Sequence, residues 1–353
     1  MRIAVVSMDT VRLRDTSATR RTRRVAAGLA DAGHDVHWLC AKWWEGAIDQ
    51  FEHEGIEYHA VTEGPAPGPF RSKLPFVLRR VAPDVVHAVS VPPGHATTAM
   101  TTAKLLRVPV VVDWWERDPE RGSSRQYRKA ATRADRVLAP SETVRTAVRE
   151  HGASGSNTAV IPESIDMDTV RSADPDDRFD VVWARALDGD ANVGEFLLAL
   201  AELRDRDWHA AVVGDGPARD DAERMAADLR IDDRVTFLGD LPESELAGVL
   251  KGAHAFAQTA TYEPFATHLL WALACGCVGI VEYQAGSAAH ELVEGYERGR
   301  LVTSPQELAD EIVACADLPE WDVDESYADF DHGPVLEEWM ACYEAVVDDS
   351  GWL

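Results

Sequence analysis

The segment YEPFATHLLWALACG (262–276) sets a carboxylate, Glu263, just ahead of a proline and an apolar run of helical period. The first N–H groups of that helix, expected at Phe265, Ala266 and Thr267, lack intrahelical acceptors and point past its end, where with the helix dipole they can hold a phosphate. A carboxylate beside such a nest suits the hydroxyls of a sugar. A plain proline-led helix start accounts for the same residues. A second constellation follows the first apolar run: Arg12, Arg14, Arg20, Arg21, Arg23 and Arg24 crowd into positions 12–24. At helical spacing Arg20, Arg23 and Arg24 share a face with Arg12 and Arg14 ahead of it, so two or three are expected to converge on an anion, a solvated basic face being the alternative. The stretch GPFRSKLPFVLRRVAP (68–83) mixes Phe70, Leu74, Phe76, Val77 and Leu78 with Arg71, Lys73, Arg79 and Arg80. That is the composition of a short helix lying in a membrane interface, or of an ordinary helix leading into the next strand. His87 and His95 are candidate general bases, though nothing has the spacing of a Ser or Cys triad. Asp113 and Glu116 stand at the end of another apolar run and are the better candidates to face a ligand.

The elements that carry these residues alternate regularly. Short apolar runs at 2–7, 35–40, 84–90, 109–115 and 136–141 read as buried parallel strands, with helices near 19–32, 71–82, 95–107, 123–134 and 142–151. A stretch rich in Gly, Ser, Pro and Asp (151–177) reads as a linker. The rhythm then restarts with strands at 180–185, 208–216, 234–240, 254–260 and 277–283 and helices near 193–205, 219–229, 243–252 and 265–275. The prediction is α/β: two doubly wound domains, 1–165 and 166–334, facing across a cleft, with a C-terminal helix (335–353) crossing back onto the first. Ligands of such sheets bind at the strand ends. The loop after the first strand, MDTVRLRDTSATRRTRR (8–24), has no glycine, which argues against a GxGxxG dinucleotide site and an NAD-dependent dehydrogenase.

Composition narrows the classes further. With 353 residues, 46% of them hydrophobic, the chain can bury two cores, which excludes disorder and coiled coil. The formal charge of −26 is uneven: residues 1–150 carry 23 basic and 18 acidic side chains, residues 151–353 carry 12 and 43. Only five residues are Lys, and this acidic, Lys-poor composition resembles that of salt-in halophiles, where such charge is screened within a few ångströms. The first half is too weakly basic, and lacks a reader motif, for nucleic-acid binding to be expected. Five cysteines, with no CxxC pair, are expected to be buried free thiols, and neither a disulfide nor a metal site is expected. The N-terminus enters a strand without a long apolar segment, so a cytoplasmic protein is expected.

The order of motifs from 180 to 303 resembles the family 4 (group 1) nucleotide-sugar glycosyltransferases: an Arg ending a strand, a G-D-G-P turn, D-R-V-T-F-L-G, Y-E-P-F, A-C-G and E-L-V-E-G. In the first half only AGHDVHWL (32–39), PDVVHAVS (83–90) and VIPESID (160–166) match, the last resembling the family's interdomain linker. The resemblance implies the GT-B fold of two Rossmann-like domains. It further implies that Arg185 and the amides at Phe265, Ala266 and Thr267 hold the donor diphosphate, that backbone around Phe237, Leu238 and Gly239 receives the base, and that Glu263 binds donor-sugar hydroxyls. Apart from the resemblance, Arg12, Arg14 and Arg20 are expected to take the donor pyrophosphate or an acceptor phosphate, and Glu263 and Glu116 the catalytic roles.

The chain also departs from the family pattern. Where the family has a second Glu eight residues after the first, to bind the ribose, this sequence has Trp271, left to stack on the ribose or base or to pack in its helix; Glu282 or Glu291 is left to supply the acceptor. No Lys follows Arg185 within ALDGDAN (186–192), and Asp113-Trp114-Trp115-Glu116 replaces a D-x-H-E-like segment. The function implied is transfer of a sugar from a nucleotide-sugar donor to a glycan, glycolipid or lipid-linked acceptor, with retention and without a metal or other cofactor. The alternative is a catalytically weak or inactive partner subunit of the same fold. A nucleotide-sugar epimerase is disfavoured, because its acid/base residues cannot be placed.

Overall fold

The structure, a computed structural model, describes residues 1–115 and 124–351. The chain divides into two compact units, Met1–Glu163 with Gly333–Leu353, and Ser164–His332.

In the first unit β1 (Arg2–Val6), β2 (Asp35–Ala41), β3 (Gln50–His53), β4 (Ile56–Thr62), β5 (Val85–Val89), β6 (Val110–Asp113), β7 (Arg136–Ala139) and β8 (Thr158–Val160) form one sheet. Its order is β3-β4-β2-β1-β5-β6-β7-β8, and only β3 runs antiparallel to its neighbour. Ile3 to Val6 are buried throughout, as a central parallel strand covered on both faces requires. The connecting helices are α1 (Ser17–Asp31), α2 (Pro67–Val81), α3 (Pro93–Leu106), α4 (Ser124–Arg133) and α5 (Glu142–Glu150). One face of the sheet buries Leu39, Val61 and Val112 against Phe70, Leu74, Met100 and Tyr127. On the other, Ile3, Val5 and Trp38 meet Leu29 of α1 and Trp339 and Tyr343 of the C-terminal helix (His332–Asp349). The hairpin β3–β4 escapes an apolar-run reading because charged residues interrupt QFEHEGIEYHAV.

The second unit contains α6 (Met167–Ser172), β9 (Val181–Ala184), α7 (Val193–Glu202), β10 (Ala210–Val213), α8 (Arg219–Leu229), β11 (Val235–Gly239), α9 (Glu243–Gly252), β12 (Ala255–Gln258), β13 (Tyr262–Glu263), α10 (Thr267–Ala274), β14 (Val278–Glu282), β15 (Gly286–Ser287), β16 (Gly299–Val302) and α11 (Pro305–Cys315). Six strands form a parallel sheet in the order β11-β10-β9-β12-β14-β16. The linker reading of 151–177 is corrected: β8 adds the last strand of the first sheet, and α6 buries Met167 and Val170 in the second unit. Polar composition there marks loops around short elements, not a free tether. All five cysteines are free, Cys342 half-buried and the others buried.

Candidate functional site

Strand order in the second sheet reverses between β9 and β12, the switch point at which open α/β sheets present ligand sites. Arg185 follows β9, and its backbone N–H donates to Val213 O at 3.0 Å, which carries the chain beyond the strand in register. The GDGP turn lies directly against it. Gly214 has φ +120° and Gly216 φ +151°; a Cβ would come within 2.0 Å of Arg185 O at the first and 2.4 Å of Leu187 O at the second. Only glycine allows the two loops to touch. Leu187 N–H donates to Asp215 O and Ala218 N–H to Leu187 O, both at 2.9 Å.

Glu263 is held from another direction. The short β13 pairs in parallel with β15, and Ala288 N–H donates to Glu263 O at 2.7 Å. Its side chain, 13% exposed, places Oε2 3.3 Å from Nε of Arg185, itself 11% exposed. Burial pushes the Glu263 carboxyl up to about 7; Arg185 opposes the shift, while Asp188 and Asp190 add to it. Arg185 also donates through Nη2 to Asp188 Oδ2 at 3.2 Å. Its Nη1 is buried with no hydrogen-bond partner among the described residues. The loop carrying both aspartates is stapled down: Asn192 Nδ2 donates to Thr259 O and Thr259 Oγ1 to Asn192 O, each at 2.9 Å, and Thr261 N–H donates to Asp190 O at 3.0 Å. Asp188 was not singled out in the sequence, although its spacing of three from Arg185 was a usable signal.

The helix beyond Glu263 starts later than its sequence implies. α10 begins at Thr267, whose N–H is already given to Phe265 O at 3.0 Å, so that amide is not available to a phosphate. The N–H groups of Phe265 and Ala266 have no acceptor among the described residues. Trp271 is 2% exposed inside α10 and presents no free ring face, so stacking on a ribose is corrected to core packing. Around Phe237–Gly239, the segment expected to receive the base, Arg219 Nη2 donates to Phe237 O at 3.3 Å and Gly214 N–H to Gly239 O at 2.8 Å. The ladder passes from Val212–Phe237 to Val213–Gly239, which leaves Leu238 as the bulged residue outside the register. Glu282 is buried and accepts from Gln284 Nε2 at 2.9 Å, its carboxyl raised by burial and by Glu195. Glu291 is half-buried in a 3₁₀ turn, Ala289–Leu292, that follows β15.

In the first unit the arginines disperse instead of converging. Arg20 pairs with Asp15 at 2.6 Å, Arg23 with Glu54 and Arg24 with Glu163, both at 2.5 Å, while Arg12 lies 5.8 Å over the Trp43 ring. Each finds a local acid or ring, which is why a shared helix face does not become an anion site. Arg21 turns inward to a buried ion pair with Asp113 at 3.2 Å. Arg14 lines a pocket with Ser7, Asp9, Thr16, Ser90 and Trp115, at the ends of β1 and β5 where this sheet too reverses its strand order, while Arg12 and Arg23 border a separate hollow beside Trp43 and Tyr58. His87 is buried beneath Trp339, with Nδ1 2.6 Å from the Tyr343 hydroxyl, and burial pushes it down to about 4. His95 is likewise buried and pushed down to about 4. Both rings are fully enclosed, His87 by Trp339 and Tyr343 and His95 against Phe70, so their reading as general bases is corrected to core polar residues. Glu116 lies outside the described residues.

Comparison with known proteins adds an independent line. Residues 16–163 match the family described as glycosyl transferase 4-like domain, and residues 166–324 that described as glycosyl transferases group 1. A 2-deoxystreptamine glucosyltransferase of Streptomyces kanamyceticus is 26% identical over 243 residues, 64% of this chain and 59% of that protein, so the chain matches less than two thirds of that relative's length. Among solved structures, a glycosyltransferase from Rickettsia africae superposes with a TM-score of 0.80 at 16% identity, over 98% of both chains. HepE from Anabaena, solved in complex with UDP and glucose, gives 0.76 at 20% identity over 97% of this chain and 99% of that one. At such identities the structural likeness speaks for the fold.

Proposed function

This chain belongs to the group 1 glycosyltransferases of GT-B fold, and on that premise we propose that it moves a sugar from a nucleotide-sugar donor to a glycan, glycolipid or lipid-linked acceptor. The observation that carries the reading is Arg185 beside Glu263 at the switch point, with one guanidinium nitrogen unpartnered. The Arg185 guanidinium donates to an oxygen of the donor diphosphate, and the amides of Phe265 and Ala266 at the start of α10 share the charge. Glu263 receives the hydroxyls of the donor sugar, and the bulge at Leu238 receives the base. In transfer, the acceptor hydroxyl oxygen bonds to the anomeric carbon as the bond from that carbon to the phosphate oxygen breaks. The nucleoside diphosphate leaves with the electron pair. The hydroxyl proton passes to a base, for which Glu116 is the candidate. A guanidinium and two amides stabilise the departing charge, so the reaction proceeds without a required metal, and retention is its stereochemical course.

A panel of nucleotide sugars tests this, read by melting temperature and by release of free nucleoside diphosphate in the presence of a lipid extract, with and without EDTA. Stabilisation by one donor together with release is the expected result; neither in any combination overturns the reading. Stabilisation without release supports the second reading, a catalytically weak partner subunit, which Trp271 in place of a ribose-binding carboxylate favours. An NMR assignment of the product's anomeric centre decides retention.

The same reading extends to a peripheral membrane contact through α2. Phe76 is 76% exposed there, among the exposed Arg71, Lys73, Arg79 and Arg80, and no helix among the described residues is long and apolar enough to cross a membrane. Sedimentation with anionic vesicles, weakened by Phe76→Ser and by salt, is the expected outcome. The acidic surplus of residues 151–353 supports a salt-rich working medium, for which a melting temperature rising with molar KCl is the check.

A further inference from the structure

We propose that His37, Glu57 and His59 form a binding site for a divalent transition-metal ion of the zinc class. The three residues sit on neighbouring parallel strands, β2 and β4, where His37 stands opposite Glu57 and Leu39 opposite His59. Strand alternation therefore sends all three side chains to one face of the sheet. His37 Nδ1 lies 2.9 Å from His59 Nε2, and the Glu57 carboxylate brings Oε2 to 3.3 Å from the first nitrogen and Oε1 to 3.7 Å from the second. Donors bound about 2.0–2.2 Å from a tetrahedral ion stand roughly 3.3–3.6 Å from one another, so an ion among these three needs adjustments of only a few tenths of an ångström.

The surroundings complete the pattern expected of a ligand set. Asp35 Oδ1 lies 2.9 Å from His37 Nε2, the ring nitrogen away from the cluster. That nitrogen makes no well-aligned hydrogen bond among the described residues, but the charge of the carboxylate favours the proton on Nε2 and leaves the Nδ1 lone pair directed at the other two ligands, as an outer carboxylate does for a metal-bound histidine. The imidazoles and the carboxylate then turn three acceptors towards one point, with a single imidazole proton available between them. Both histidines are buried, and His59 Nδ1 has no hydrogen-bond partner among the described residues. Glu57 is half-buried, which leaves a solvent-side approach for the ion and room for water as a fourth ligand. The cations nearby are Arg2, already paired with Asp35 at 2.6 Å, and Arg80 of α2, which is exposed. The cluster lies towards the N-terminal ends of its strands, away from the rim that carries Arg14 and Asp9. Its effect is to clasp β4, and with it the edge hairpin β3–β4, to β2, independently of the chemistry at Arg185.

The test uses the whole purified chain, stripped with chelator and titrated with zinc(II) against a chromophoric competitor, and with cobalt(II) followed by visible absorption. One equivalent of zinc per chain is expected, with the ligand-field bands of four- or five-coordinate cobalt and a higher melting temperature. His37→Gln and His59→Gln abolish that equivalent, and Glu57→Gln weakens it about tenfold or more. His53→Gln and His290→Gln, at two partly exposed histidines outside the cluster, leave it unchanged. Should a histidine variant fail to fold, the half-buried Glu57 decides, because its amide changes only the ligand. No uptake by the wild type, or equal uptake by folded wild type and Glu57→Gln, overturns the proposal.

Discussion

Arg185 Nε stands 3.3 Å from Glu263 Oε2, although one side chain follows a central strand and the other sits on a two-residue strand pinned to 286–287. The two supports are independent, so the pair is held from both sides. It is enclosed enough that the carboxyl is raised by burial in spite of the adjacent guanidinium. The pair therefore offers one firm cation and one carboxyl near its midpoint at neutral pH, which suits a diphosphate on one side and hydroxyls on the other.

Replacing Arg185 separates charge from shape. Arg185→Lys keeps the cation but loses the planar fork, whereas Arg185→Ala loses both. A buried charge-assisted hydrogen bond contributes about 1.5–3 kcal/mol, roughly 10- to 100-fold in affinity. Donor Kd by calorimetry is expected to rise by about that factor in the Lys variant and by more in the Ala variant. Unchanged affinity in Arg185→Ala removes the residue from the donor site.

Glu263 makes stability depend on pH in a direction opposite to an ordinary ion-paired acid. Its folded-state value of about 7 lies above the ordinary 4.5 of the unfolded chain, so the folded form keeps a proton that the unfolded form has lost. Stability falls as pH rises from about 4.5 through 7, and the cost is complete above that. Gln has no proton to lose. Chemical denaturation at pH 5 and pH 8 should show Glu263→Gln gaining on wild type by an amount on the order of 1–3 kcal/mol between the two. A gap independent of pH contradicts the raised value.

The two glycines of the GDGP turn test whether the loop contact is required. At Gly216 an alanine meets both a left-handed φ and the Leu187 carbonyl at 2.4 Å, while Gly189, in the adjoining loop, has open space around it. Gly216→Ala is expected to destabilise by about 1–3 kcal/mol or more and to weaken donor binding, because Leu187 and with it Arg185 must shift. Gly189→Ala is expected to leave both within error.

Much of this site was legible before any coordinates. Glu263 and the helix start behind it are legible in local sequence, whereas Arg185 and the glycine turn are marked by the order of motifs that the chain shares with the glycosyltransferase family. What was illegible depends on pairing between distant segments. The arginines of 12–24 were read as one convergent face because their acidic partners, Glu54 and Glu163, come from elsewhere in the chain. Trp271 shares the helical spacing of a site residue with that of a core residue, and only burial distinguishes them. The β3–β4 hairpin was missed because an edge hairpin needs no apolar run. The juxtaposition of His37 with Glu57 and His59 follows from the parallel register of β2 and β4, which no local pattern encodes.

The buried pair Arg21–Asp113 shows what became of the basic cluster and gives a last prediction. Arg21 is 1% and Asp113 2% exposed, and their contact is 3.2 Å. The guanidinium also donates to Ile161 O and Pro162 O at 2.8 Å each and lies 5.0 Å from the Trp339 ring. It therefore ties α1 to β6, to the chain just before the second unit and to the C-terminal helix. Removing it strands a buried carboxylate and two carbonyls, so Arg21→Met is expected to cost about 3–5 kcal/mol in urea denaturation of the intact chain. Asp113→Asn strands the cation instead and costs a comparable amount. In the double variant Arg21→Met/Asp113→Asn the stranded charges disappear together, while the carbonyl contacts stay lost. Its destabilisation should therefore fall short of the sum of the singles by about 1–3 kcal/mol. Strict additivity would mean that Arg21 is held by the carbonyls and the ring alone, with Asp113 contributing no coupling.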